Sequence, residues 1–514
     1  MNNPLGKERG FDAFVIVALL AITLLIRLPY FFPAVINWDE SSSILIGQAI
    51  LDGQLPYVEL WDVKPPLLYY AFAAIIWLFG ATIEGVRAGG ALCVALTAIA
   101  VYVYTRTVWR RSIGVVAAVL TVILICGQRG SGATMSEHLA LVPFMVSLVL
   151  MRHGTLGYGR AIAMGLLLCA AGLVRLNLAL VAVSFMLLVF FHAPLRGGRS
   201  RFALVAVIGL AGLAGVAASG LPNLLGGSMD RWWSAVFAAP MSYASSQHSV
   251  ASAALLQVFY FVRTGYLLGW AVLACALVFL VRCARARSTT ASTDDLPDRT
   301  QRLILLTYFG ATLVSVLLSG GAFAHYLIQI SPFMAIFAAA VLVPALGARH
   351  TPARRRGMAT AAVVVMLIAM LPTLGAYRAL SVRSEQRGTL RFSPEYAIAG
   401  YLRTHSTPQD GVYMMTDHIV YWFLGKAPID QAVTHPSNIA KSYLLKHMRG
   451  EATTPDAALN DLFTHKRPRF VVRTQELAYL KTDLDALAVI DHELATSYVL
   501  ETNIEGRQIY RRKN

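Results

Sequence analysis

Long apolar runs separated by short clusters of arginine set the pattern of this chain. A helix needs roughly 20 apolar residues to cross a bilayer. On that measure the runs at 11–36, 85–105, 112–127, 139–151, 161–174, 178–193, 202–222, 264–281, 303–319, 327–346 and 357–377 predict about eleven transmembrane helices. One further run, 67–80, is too short to cross comfortably, and charge decides its place. If it crossed, Arg106, Arg110 and Arg111 would lie outside. If it lies along the outer interface, with Tyr69, Tyr70 and Trp77 as interfacial aromatics, those arginines fall inside.

Parity is then consistent along the chain. Arg152 and Arg160, then Arg196, Arg199 and Arg201, the loop 282–302, and Arg349, Arg354, Arg355 and Arg356 are expected in the cytoplasm. The NWDE loop after the first span, the loop 128–138, the Arg175 turn, the aromatic loop with Arg231, Trp232, Trp233 and Tyr243, and the 320–326 stretch are expected outside.

From Arg378 the pattern becomes that of an ordinary soluble domain. Residues 393–404 predict a helix, 411–415 and 470–473 short strands, and 497–510 a hairpin turning near Glu505-Gly506. The expected organisation is a membrane module over 1–377 and a small extracytoplasmic α/β domain over 378–514.

Composition sharpens this reading. Of 514 residues, 56% are hydrophobic and only 14% charged, and the mean hydropathy is +0.58. A soluble domain carries about 25% charged residues, so the chain is expected to be a multi-pass membrane protein. Its net charge of +16 does not point to nucleic acid, because the basic residues cluster in the short loops. Cys93, Cys126, Cys169, Cys275 and Cys283 lie in or beside apolar runs without metal-ligand spacing and read as packing residues. Lys7 and Arg9 precede an apolar run with no small-residue cleavage site, which reads as a retained signal-anchor.

Candidate chemistry lies on the outer face. Asp39 and Glu40 follow the first span directly, where two adjacent carboxylates are costly and mark function. Burial raises a carboxylate pKa and a nearby cation lowers it, so such a pair can be tuned as acid or base. Lys64 sits between Asp62 and the rigid Pro65-Pro66 turn, a fixed cation suited to phosphate. Glu137 opens an inward span. Arg175, with Asn177, is a positive residue on the face that the charge rule leaves poor in cations. His325 and Tyr326 open another span after Gly320-Gly321, a pair that permits close backbone approach. No Walker loop, GxSxG elbow or HExxH helix is apparent, so soluble nucleotide chemistry is not expected.

The external acid pair, the KPPL stretch, the GVRAG opening the next span and HYLIQISP together resemble GT-C-fold glycosyltransferases. The nearest branches are the protein mannosyltransferase-like, aminoarabinose transferase-like and rhizobial galacturonosyltransferase-like ones. The resemblance spans about residues 10–350. It implies a GT-C-like helical membrane fold and a polyprenyl-phosphate sugar donor attacked by an extracytoplasmic glycan, lipid (such as lipid A) or protein acceptor, with membrane lipid and no nucleic acid among the partners. Asp39 then looks like the catalytic carboxylate with Glu40 its companion, and Glu137 like the second acid, facing the first across the cavity. Lys64, Arg175, His325 and Tyr326 look like donor-phosphate ligands. His325-Tyr326 stands where relatives often carry Arg-Tyr. Val63 stands where some aminoarabinose transferases have a metal-binding glutamate, so the residues do not indicate a divalent cofactor. The rival readings are a flippase or transporter of an amphiphilic anion, which normally shows internal repeats, and a polysaccharide ligase or polymerase using a diphosphate donor.

Overall fold

The computed structural model describes residues 4–245, 250–286, 296–319, 323–346, 351–391, 393–450 and 453–513. The chain opens with α1 (Pro4–Arg27), α2 (Trp38–Leu51), α3 (Pro66–Phe79), α4 (Ile83–Val108), α5 (Arg111–Gly127), α6 (Ser136–Leu150), α7 (Tyr158–Val174) and α8 (Ala179–Phe191). Helices Arg201–Leu225, Val250–Arg285, Arg299–Leu318, Ser331–Ala345 and Pro352–Arg387 follow. Each of the eleven expected membrane runs is helical over most of its length. Six of the described helices are long and apolar enough to cross a membrane, and α5, α6, α7, α8 and Ser331–Ala345 are shorter apolar helices. The protein is a helical polytopic membrane protein with a small C-terminal sheet domain.

The chain divides into two compact units. The first comprises Met1–Phe31, Arg87–Ala218 and Gln247–Leu380. Its centre is Ser331–Ala345, apolar on all sides and packed against α5 and Val250–Arg285. Phe144 stacks on Tyr308 with ring centres 5.3 Å apart, and Phe185 and Phe333 meet this pair edge-on. Leucines on the rim, such as Leu210 and Leu213, stay exposed, as side chains facing lipid should.

The second unit comprises Phe32–Val86, Ser219–Ser246 and Ser381–Asn514. Here α2 lies on α3 so closely that a Cβ on Gly47 would come within 2.9 Å of the Phe72 Cβ, so glycine is required there. The C-terminal sheet has the order β1 (Val412–Met414), β2 (Phe470–Thr474), β4 (Arg507–Arg512), β3 (Tyr498–Ile504). β1 pairs parallel with β2, and β4 runs antiparallel to both β2 and β3. The β3–β4 hairpin turns at Glu505 and Gly506, both at positive φ, with Asn503 accepting the Gly506 N–H.

Several expectations need correction. The Asp39-Glu40 stretch is not a loop: α1 ends at Arg27, and Trp38 begins a helix that buries Glu40. The reason is local, because Asn37 is an N-cap whose side chain accepts the Asp39 N–H and whose extended backbone starts the turn. Tyr69 is not an interfacial aromatic but fully buried edge-on against Tyr57, whereas Trp77 is exposed. The expected aromatic loop at 223–263 is largely helical, with Trp232 buried. The last long apolar helix continues past 377 to Arg387. The Gly320–Ala322 turn, Arg349 and the middle of the 282–302 loop lie outside the described residues.

Candidate active site

Two clusters contain most of the expected site residues, one in each unit. The cluster in the second unit is built around Asp39, in the first turn of α2, where the helix dipole favours an anion. The Lys64 ammonium donates to Asp39 Oδ1 at 2.8 Å and to Asp62 Oδ2 at 3.3 Å. Sequence rules explain why Lys64 is fixed. Pro65 is extended and Pro66 occupies the first turn of α3, where its missing N–H costs nothing. The Lys64 carbonyl accepts from the Tyr57 hydroxyl at 2.6 Å, and buried Tyr57 holds φ at +71°, an unfavourable backbone region for an aromatic residue. Asp62 is only 2% exposed. Burial acts to raise its pKa, but the Lys64 ammonium outweighs that and holds it below the ordinary carboxylate value. For Lys64 burial opposes the charge, and Asp39 and Asp62 more than restore it, so its pKa lies above the usual lysine value.

A further partner of the Asp39 carboxylate is absent from the sequence reading. His435 Nε2 lies 3.4 Å from Asp39 Oδ1, the same oxygen that Lys64 engages. Glu40 is buried on the neighbouring face of α2. A cleft of about 850 Å³ in this unit lies along α2 at Leu45, Gln48 and Asp52, beside Arg391, Arg403 and Trp422, and contains none of the predicted site residues.

The cluster in the first unit is built around Glu137 in the first turn of α6, wholly buried. The Arg175 guanidinium lies 2.9 Å from Glu137 Oε1 and donates to Ser136 Oγ at 3.0 Å. It also sits 4.4 Å over the Tyr326 ring, a cation–π contact. His325 Nε2 is 3.7 Å from Glu137 Oε1, an ion pair when the imidazole is protonated, and its ring stacks on Phe323. Glu137, Arg175, His325 and Tyr326 are thus brought together, and the anionic partner of Arg175 is Glu137.

The supports of this cluster are local and readable in part. Buried Arg27 donates to the carbonyls of Ser131, Gly132 and Ala133, pinning the segment before α6. Gly90 of α4 makes room for Thr134, whose Oγ1 would lie 2.4 Å from a Cβ there. Asn177 donates to Ser315 and Gln329 and so ties the turn after Arg175 to the segment carrying His325.

Val63 precedes Lys64, and among the described residues no three His, Cys, Asp or Glu side chains come together as metal ligands. Between Asp39 and Asp62 the bridging cation is the Lys64 ammonium itself. These residues do not fit a resident divalent ion, and the chemistry below uses none.

No protein-family model and no curated protein sequence matches the chain. Solved structures do. The chain is similar to ArnT, the aminoarabinose transferase of Cupriavidus metallidurans, in the form bound to undecaprenyl phosphate: TM-score 0.59 at 14% identity, covering 97% of each chain. The apo form gives the same TM-score at 15% identity, covering 96% of this chain and 97% of that one. The archaeal oligosaccharyltransferase AglB of Archaeoglobus fulgidus, solved with an inhibitory peptide and a dolichol-phosphate, gives TM-score 0.53 at 15% identity, covering 99% of this chain and 75% of that one. Both are GT-C-fold glycosyltransferases, and the fold of this chain is the GT-C fold.

Proposed function

We propose that this protein is a membrane glycosyltransferase that moves a sugar from a polyprenyl-phosphate donor to an extracytoplasmic glycan, lipid or protein acceptor by one inverting displacement. The observation that carries the reading is the Asp39 carboxylate, held at a helix N-terminus by a half-buried ammonium on a chain with the GT-C fold. The polyprenyl phosphates bound by ArnT and AglB support the choice of donor class.

In this reading the acceptor O–H gives its proton to Asp39 as its oxygen bonds to the anomeric carbon. The bond from that carbon to the phosphate oxygen breaks through an oxocarbenium-like state, and the electron pair leaves on the lipid phosphate. Charge grows on that leaving group, so cations placed there favour the transition state over the ground state. Lys64 has three N–H donors, of which two go to Asp39 and Asp62, and the third is assigned to the donor phosphate. Within the other unit, Arg175 has five donors in a planar fork, so it can hold Glu137 and still turn N–H groups to an anion, with His325 and Tyr326 beside it. Glu137 acts through Arg175, and Glu40 through the helix that carries Asp39. The C-terminal domain and the sugar-transfer chemistry are assigned to the extracytoplasmic face.

The test is transfer by purified protein in detergent from a panel of synthetic polyprenyl-monophosphate sugars, with polyprenyl-diphosphate sugars in parallel and an envelope extract as acceptor source. Transfer from at least one monophosphate donor is expected. Transfer only from diphosphate donors, or from none, overturns the reading.

A further inference from the structure

We propose that the segment 435–441, from the C-terminal domain, positions the catalytic carboxylate: His435, backed by Ser437 and Lys441, orients and polarises Asp39. This rests on Asp39 being the base, as argued above, and it gives the C-terminal domain a direct part in the chemistry.

The geometry fixes the direction of every bond in the chain. The Ser437 backbone N–H, which can only donate, reaches His435 Nδ1 at 3.2 Å. Nδ1 is therefore the acceptor, and the neutral ring carries its proton on Nε2, the atom 3.4 Å from Asp39 Oδ1. Ser437 Oγ lies 3.1 Å from the same Nδ1, and Lys441 Nζ donates to that Oγ at 2.9 Å. An ammonium cannot accept, so Ser437 takes a hydrogen bond from Lys441 and passes its own hydrogen to His435. The hydrogen bonds run one way, from Lys441 through Ser437 to His435, whose Nε2 proton then faces the Asp39 carboxylate at 3.4 Å, and such an arrangement polarises towards the anion at its end.

The segment is also docked firmly. The Thr434 carbonyl accepts from Ser42 of α2 at 3.1 Å, and the Thr434 hydroxyl accepts the Trp61 N–H at 3.2 Å. Trp38 meets the His435 ring edge-on, and Tyr479 backs Trp38. Lys441 lies 5.7 Å over the Tyr243 ring. Burial pulls the Lys441 pKa below its ordinary value while Asp62 and Asp39 pull it up. Among the described residues the charged and titratable groups acting on Asp39 include Lys64, Asp62, His435, Lys441 and Tyr69, with Glu40 next to it on its own helix.

A donor N–H facing the ionised form at close range favours that form electrostatically and lowers a carboxyl pKa. Removing the donor with His435→Ala is expected to move the acidic limb of kcat/KM upward by about one pH unit. A loosened base is expected to lower kcat by about 10–100-fold, with donor KM near wild type because His435 is assigned to Asp39 and not to the donor phosphate. His435→Gln returns an amide N–H near the Nε2 position and should recover most of the loss. Ser437→Ala keeps the backbone donor, so it should shift the limb the same way but less.

A second readout needs no substrate. Carbodiimide attacks protonated carboxyl groups, so the pH midpoint of Asp39 labelling, read by peptide mass spectrometry, should rise in His435→Ala and Ser437→Ala and stay near wild type in His435→Gln. If labelling midpoint and acidic limb stay put in His435→Ala while Asp39→Asn is inactive, His435 is packing only and this inference falls alone. If Asp39→Asn turns over normally, the reading beneath it falls first.

Discussion

Replacing Lys64 with methionine keeps much of the side chain's length but deletes the ammonium lying 2.8 Å from Asp39 and 3.3 Å from Asp62. At an effective dielectric near 20 those separations correspond to gross attractions of about 6 and 5 kcal/mol. Much of that is offset by the cost of withdrawing the charges from water, and removing one partner of a buried pair typically destabilises by about 3–5 kcal/mol. The lower end applies here, because Asp39 keeps 31% of its side chain exposed and water can relieve it. The pH dependence follows from the signs. The depressed pKa of Asp62 gives stability that is complete above the ordinary carboxylate pKa and is lost as pH falls through the depressed value. The raised pKa of Lys64 gives stability complete below the ordinary lysine pKa and lost only as pH rises through the raised value. The gap in melting temperature between wild type and Lys64→Met should therefore be widest from neutral pH to about pH 9 and narrow below about pH 4. Affinity for undecaprenyl phosphate, measured on the same detergent preparation, should fall by about 10–100-fold, as expected for losing a hydrogen bond to a charged group. Lys64→Arg should be milder on both counts. A Lys64→Met protein with wild-type melting at pH 7 and wild-type lipid affinity would refute both the structural and the binding role.

Two further outcomes are expected. In a background lacking the five native cysteines, cysteines introduced near Asp39, Glu137 and His325 should label from outside the cell and ones near Arg110 and Arg355 should not; external labelling at Arg110→Cys would reverse the assignment of faces. In the C-terminal domain, burial and then Asp417 raise the Glu395 pKa to about 7, with Arg507 nearby. The folded state therefore binds that proton more tightly than the unfolded one, and stability is lost as pH rises from about 4.5 to 7. Glu395→Gln should accordingly stabilise the protein at pH 8 by about 1–3 kcal/mol and have little effect at pH 4; equal effects at both pH values would contradict this.

Features set by short-range chemistry were legible in the sequence. The apolar runs became helices because a 3.6-residue turn satisfies the backbone locally, and the terminal hairpin was signalled by Glu505-Gly506, whose turn needs positive φ at both positions. The rigid Lys64-Pro65-Pro66 corner was equally readable. The helix at Trp38 was obscured because its three serines and two acids read as a loop, whereas Ser42 and Ser43 bond back to the carbonyls of Trp38 and Asp39 and stay helical. Long-range partners left no local signal. Arg175 finds Glu137 across 38 positions, and His435 reaches Asp39 from a segment with no catalytic motif. A histidine followed by Pro, Ser and, later, Lys is ordinary in any loop, and its meaning comes only from what it is folded against.

The central claim is that Asp39 takes the acceptor proton, and Asp39→Asn tests it most directly. The amide keeps shape and can still meet Lys64 and His435 through its oxygen, but it cannot accept a proton at neutral pH. Turnover with a working monophosphate donor and binding of undecaprenyl phosphate should be measured on one preparation. Turnover should be lower by about 10²–10⁴-fold with lipid binding close to wild type and a smaller loss of melting temperature than in Lys64→Met, because Lys64 keeps Asp62; near-normal turnover in Asp39→Asn would contradict the claim.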